Sequence, residues 1–339
     1  MKFFTRGVIF VGKAKKICYN KDMQNYQDNK QRGFFPSLIG EPTPAKASGL
    51  TFTLATIAMV GASFLFLLTL MISGLAANEE TASSDWYLYC SYLLTPLTFA
   101  LVAWWVLTWM KTPVKEAIKA QKCHPKYFLI AVLLQIGLLS LSELNSLFLE
   151  FLAQLGYQES EILLPSMDGL GFVGVLFTVA VLPAIFEEVI FRGLLLKGMR
   201  SFGTVGAILL CGGLFSLYHQ NPAQTIYQFC CGAAFAFVAL KSGSILPTIL
   251  SHFINNALIL TLTKFGLSEL STPVFVTVLI VSIICLIASL VWLFLDKTPT
   301  EEVKDETENK EERKQFWAFS ALGIAICALS WLSALFMGM

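Results

Sequence analysis

From about residue 50 to the C-terminus, long apolar runs alternate with short polar breaks. The runs fall near 50–77, 86–110, 127–153, 170–198, 203–219, 223–240, 245–264, 272–295 and 315–337. A helix needs roughly 20 apolar residues to cross the hydrocarbon layer. The pattern therefore predicts an all-α polytopic membrane protein, a bundle of about eight to nine transmembrane helices. The fifth and sixth runs are short and rich in glycine and alanine, and are the weakest as full crossings. Residues 1–48 hold only short apolar pieces and lack a signal-peptide core with a small-residue cleavage site. The stretch 296–314, DKTPTEEVKDETENKEERK, reads as a charged linker. These features divide the chain into a leader (1–48), N-terminal membrane helices (49–160), a membrane core (161–265) and C-terminal helices with the linker (266–339).

Composition supports lipid as the solvent. Hydrophobic residues make up 55% of the chain and charged residues 14%, against about 25% charged in a soluble domain. A net charge of +1 gives no reason to expect nucleic acid. Cys18, Cys90, Cys123, Cys211, Cys230, Cys231, Cys285 and Cys327 show no CxxC pair or zinc spacing, so neither a disulfide framework nor a structural metal is expected.

The positive charges set an orientation. If all nine runs cross and the N-terminus is cytoplasmic, the cytoplasmic side receives every lysine and arginine except Lys264. The outer loops would carry Glu79, Glu80, Asp85, Glu159, Glu161 and Asp168. The chain is thus expected to be a multi-pass protein of the cell membrane. Its basic leader would lie beside anionic lipid or form a plain solvated tail.

Ionisable residues inside the runs are few, and among them are Glu143, Glu187, Glu188, Arg192, His219 and His252. Such groups usually face the bundle interior. Glu188 and Arg192 are four apart on one helix face and predict an ion pair. Glu143, beside Asn145, fits an interhelical hydrogen bond or a wet cavity equally. Glu187 points about 100° away from Glu188 and needs its own partner or a water. If the fourth and fifth runs turn near Ser201–Thr204, Glu187 and His219 stand about 20–24 Å above the turn. His252 and Asn256 share a face of the seventh run, about 12–20 Å above its own turn. Gly212 and Gly213 predict a close approach between backbones. Four polar groups from three helices are thus expected at one level near mid-membrane. Ser216 and Ser251 lie near the histidines in sequence but form no visible triad.

The segments EEVIFR (187–192), FSLYH (215–219) and HFINN (252–256) fit EExxxR, FxxxH and HxxxN. In this order they resemble the CPBP family of intramembrane proteases, which takes in CAAX-prenyl endopeptidases and the Abi proteins of bacteriocin processing and self-immunity. The resemblance covers roughly 168–262. It implies a conical intramembrane cavity and hydrolysis of a peptide bond in or beside the membrane. It also implies a peptide or membrane-protein substrate, prenylated in one branch of the family. Glu187 would be the general base, holding a water with His219. His252 and Asn256 would stabilise the oxyanion, and Glu188 and Arg192 would support the site. A carboxylate in a low-dielectric site suits a base, and donors there act more strongly than in water.

Glu187, His219 and His252 also make a conceivable His2Glu zinc set. HExxH is absent and the two histidines lie on separate helices, so a metal-free mechanism is expected, with zinc as the alternative. Outside enzymes, the same cavity would suit a membrane immunity or scaffold protein. A proton-coupled transporter ranks last, because no inverted repeat is visible.

Overall fold

The computed structural model describes residues 40–75, 79–117, 119–159, 162–267, 270–298 and 306–339. The leader up to residue 39, Glu161 and the middle of the charged linker lie outside the described residues. Thr43–Met339 forms one unit. Helices α1 (Pro44–Ile72), α2 (Asp85–Met110) and α3 (Lys126–Gln154) come first. A 48-residue helical stretch, Gly171–Tyr218, follows. It doubles back and is described as α4 (171–202) and α5 (Gly203–Tyr218). Then come α6 (Thr225–Ser242), α7 (Leu246–Lys264), α8 (Thr272–Leu295) and α9 (Lys310–Met337). Among the described residues, eight stretches are long and apolar enough to cross a membrane, the α4–α5 hairpin counting as one. The protein is an all-α, multi-pass membrane protein.

Local chemistry explains the hairpin. Gly203 has φ 75° and ψ 169°, a combination that a side chain would oppose. Beyond it the chain runs back along α4. The Cys211 thiol lies 3.7 Å from the Phe191 carbonyl, and the rings of Phe191 and Phe215 are 5.0 Å apart.

The next crossing, α5 on α6, depends on two glycines. A Cβ at Gly212 would meet the Phe229 carbonyl oxygen at 2.8 Å, and one at Gly232 would meet the Gly212 Cα at 2.9 Å. Backbones in contact at this depth are the usual result of small residues facing one another. Gly213 differs from the expectation: nothing lies within 4 Å of a Cβ there. One residue along a helix is a turn of about 100°, which carries Gly213 off the contact face.

Loop contacts define the two ends of the bundle. At one end, Thr43 bonds Gln315, the Ile245 amide bonds the Lys119 carbonyl and Arg313 bonds the Ser201 carbonyl. Lys126 and Tyr127 both bond Asp296 there, and Lys241 bonds its carbonyl. At the other end, the Gln158 amide bonds the Gly338 carbonyl and the Ser166 amide bonds Asp85. Leu152, Tyr157 and Ala223 are buried together there. The described residues therefore run between the two ends nine times, α4 and α5 each making one passage.

Helix α8 shows the solvent for which the chain is built. Its buried residues are Ser282, Ser289 and Leu293, while Val274, Ile280, Ile284, Ile287 and Phe294 are exposed. Small residues face inward because close packing holds helices together where lipid removes the hydrophobic drive. A Cβ at Gly137 of α3 would meet the Leu286 backbone of α8 at 2.5 Å, and the Ser289 hydroxyl bonds the Leu286 carbonyl of its own helix.

Two widened turns shape α4. Residues Leu176–Val181 and Val189–Leu195 are π-helical and bracket the segment Leu182–Glu188. Pro183 lies within that segment and lacks an N–H, so the Val179 carbonyl loses its ordinary i+4 donor. The side chain of Asn256 on α7 donates to that carbonyl at 3.0 Å.

Candidate active site

Glu188 and Arg192 form the expected pair, with Arg192 Nη1 2.7 Å from Glu188 Oε1 and both side chains fully buried. Arg192 Nη2 donates to the Gly232 carbonyl at 3.1 Å. The guanidinium carbon lies 4.4 Å from the Phe215 ring centroid, 5.3 Å from that of Phe235 and 5.9 Å from that of Phe191. A delocalised cation among aromatic faces is held by their negative quadrupole as well as by its ion pair. The backbone contact at Gly212 and Gly232 brings the Gly232 carbonyl within reach of α4.

His252 joins the two carboxylates. Its Nδ1 is 3.0 Å from Glu188 Oε1, and its Nε2 is 3.8 Å from Glu187 Oε2. The adjacent acids on α4 thus approach opposite edges of one imidazole on α7. The expected match in depth between these helices is present for His252. Glu187 Oε2 and Glu188 Oε2 are buried with no protein hydrogen-bond partner among the described residues.

His219 follows the last residue of α5. Its Nδ1 donates to the Phe215 carbonyl at 2.7 Å, since a carbonyl can only accept. In the neutral ring this leaves Nε2 as an acceptor. The Phe215 ring lies 4.8 Å from His219 and 5.9 Å from His252, both edge-on. One aromatic residue therefore packs against both imidazoles and the guanidinium.

Asn256 stands one turn beyond His252 on α7. Besides bonding Val179, it accepts from Asn255 Nδ2 at 3.1 Å. Asn255 Oδ1 in turn accepts from Gln135 Nε2 and from the Tyr227 hydroxyl, each at 2.8 Å. A chain of neutral polar groups from α3 and α6 thus fixes which way the Asn256 amide faces. Gln135, Tyr227 and Asn255 were missed by a search for ionisable residues. A search for amides and phenols in apolar helices finds all three.

The remaining candidates have other duties. Ser216 donates to the Thr225 carbonyl at 2.7 Å and Ser251 to the Ala131 carbonyl at 2.6 Å, which secures neighbouring helices. Near Glu143, Asn145 makes the interhelical bonds, to the Ala223 carbonyl and from the Tyr227 amide.

The donor set does not suit zinc. Among the described residues, no three His, Cys, Asp or Glu side chains converge as ligands. No reaction step is routed through a metal here.

Residues 169–258 match the family described as type II CAAX prenyl endopeptidase Rce1-like. The matched segment runs from the start of α4 into α7 and contains all three motifs. No curated protein matches, and no solved structure matches.

Proposed function

We propose, taking residues 169–258 as the CAAX-protease core that the family match identifies, that this protein is an intramembrane endopeptidase. The observation that carries the reading is His252, held 3.0 Å from Glu188 and 3.8 Å from Glu187. That contact joins the first motif to the third, and Phe215 of the second packs against the same ring.

Each group has a role suited to its neighbours. Glu187 is the general base, its buried Oε2 free of protein donors. His219 presents Nε2 as an acceptor and holds a water with Glu187. The water oxygen adds to the scissile carbonyl carbon while its proton passes to Glu187. The carbonyl π electrons move onto oxygen. Collapse of this adduct breaks the C–N bond, and Glu187 returns the proton to the leaving nitrogen.

The oxyanion faces Asn256 and His252. One Asn256 amide proton is committed to Val179, leaving the other for the oxyanion. His252 gives its Nδ1 proton to Glu188, so donation from Nε2 requires the imidazolium. Glu188 and Arg192 are positioning residues that act through His252. The buried, unpartnered carboxylate oxygens support a conical cavity reaching this level. Gathering of the basic loops at one end supports a cytoplasmic N-terminus in the cell membrane. The substrate is a peptide or membrane protein, and the family's description points to a prenylated C-terminus.

The test is a comparison of membrane proteomes from cells carrying wild type and Glu187→Gln. A membrane-proximal fragment dependent on wild type is expected, with equal folding of both proteins. Undiminished cleavage by Glu187→Gln removes the reading. An unchanged proteome, with a partner captured equally by both proteins, favours a scaffold or immunity role instead.

A further inference from the structure

Below the catalytic level lies a cavity walled by Lys119, Arg192, Lys197, Arg200, Ser244, Ile245 and apolar residues of α4 and α6. Its volume of about 10 Å³ admits the centre of one water-sized group. Four of its lining residues are cationic and none is acidic. Arg192 is 2% exposed, whereas Lys119, Lys197 and Arg200 are partly exposed, so Arg192 forms the inner end.

Arg192 supplies an independent sign of a ligand. Two of its nitrogens are committed to Glu188 and Gly232, while Nε is buried with no acceptor among the described residues. A buried, unanswered donor on a guanidinium is costly. The rim is also built rather than loose. The Ile245 amide bonds the Lys119 carbonyl at 3.2 Å, and the Ser244 hydroxyl bonds the Gln121 carbonyl at 2.6 Å. Lys119 adopts φ 54°, a left-handed conformation uncommon for lysine.

We infer that this cavity is a phosphate-binding site, taking one phosphoryl oxygen at Arg192 and the others among Lys119, Lys197 and Arg200. A phosphoryl group is tetrahedral, so its oxygens diverge toward donors on different sides, as the cations of this cavity are placed, whereas a carboxylate's two lie in one plane. The site lies at the end where the basic loops gather, the level of lipid phosphates if that end faces the cytoplasm. Burial first, then the Arg200 and Lys197 charges, lower the Lys119 ammonium to about 8, as crowded cations do. The phosphate is carried by an anionic lipid or arrives as the free ion.

The full chain is purified in a maltoside detergent, whose headgroup contains no phosphate. Thermal stability is then titrated with inorganic phosphate against chloride at matched ionic strength, and separately with phosphatidylglycerol. Stabilisation is expected, with the apparent affinity about 10- to 100-fold weaker in Lys197→Gln/Arg200→Gln, about tenfold for each charge-assisted bond lost. Lys115→Gln/Lys122→Gln, exposed cations outside the cavity, should keep the wild-type response. A response to lipid alone assigns the phosphate to a headgroup, and a response to both admits the free ion. No response in either titration, or equal weakening in both variant pairs, overturns the site. If Lys197→Gln/Arg200→Gln does not fold, Lys119→Gln carries the same comparison. The readout needs no turnover, so phosphate binding and hydrolysis at Glu187 stand or fall separately.

Discussion

The amide of Asn256 donates to the Val179 carbonyl, and Pro183 is the residue that leaves that carbonyl without its i+4 donor. Two helices are joined where α4 is widened, and the asparagine is aimed by the join. Asn256→Ala should lower kcat about 100-fold or more with little change in KM, because an oxyanion exists only in the transition state. Steady-state kinetics on a cleaved peptide check this. A change confined to KM would contradict the assignment.

The positioning chain behind Asn256 should show a weaker version of the same effect. Gln135→Leu removes one of the two donors to Asn255, leaving Tyr227, and so loosens the amide that bonds Asn256. A fall in kcat of about tenfold, with KM near wild type, is expected for one misdirected donor. Restoration by Gln135→Asn is not expected, since the shorter side chain falls short of Asn255. A loss of folding alone, with normal kcat in the folded fraction, would make Gln135 purely structural.

Breaking the Glu188–Arg192 pair should cost stability as well as activity. Arg192→Ala leaves a fully buried carboxylate beside His252, a penalty of about 3–5 kcal/mol. The double variant Glu188→Gln/Arg192→Met should recover part of the stability but none of the activity. Thermal unfolding and cleavage measured on the same preparations separate the two effects.

Gly232→Ala tests the α5–α6 crossing. The new Cβ would lie 2.9 Å from the Gly212 Cα and from the Phe215 Cβ. Overpacking of this kind costs about 1–3 kcal/mol, and Phe215 packs against both histidines. Lower melting temperature together with lower activity is expected, whereas Gly213→Ala, at an open position, should be neutral.

Asp296 gives a pH signature far from the site. Burial raises its carboxyl, but hydrogen bonds from Tyr127, Thr298 and Lys126 outweigh it and hold the group below the usual carboxylate range. A folded pKa below the unfolded one contributes stability above the unfolded value of about 3.9 and loses it as acid titrates the folded group. Wild type should therefore lose stability relative to Asp296→Asn below about pH 4, and the two curves should converge in acid. Unfolding followed across pH 3–7 checks the sign.

Periodicity and charge carried much of the fold in advance. The apolar runs, the turn at Gly203 and the ion pair four residues apart are all local features, readable from spacing and residue type. His252 was placed at the right depth, but its contact with Glu188 depends on how α7 rotates against α4, which no local pattern states. The chain from Gln135 and Tyr227 through Asn255 escaped notice because uncharged polar side chains do not stand out in apolar runs. Gly232 was overlooked for a related reason: a glycine's importance lies in its neighbour, and Gly212 is known as that neighbour only once α5 and α6 are packed. The same limit misread Gly213.

The fold-back at Gly203 has a consequence for the surrounding bilayer. The returning leg has 16 residues, about 24 Å at 1.5 Å per residue, against a hydrocarbon thickness of roughly 30 Å. A stub this short cannot span an unperturbed membrane, so lipid beside it must pinch inward or its tip must lie below the surface. His219 stands at that tip. Local pinching would bring bulk solvent toward the imidazole from one side while greasy chains still surround the rest of the bundle.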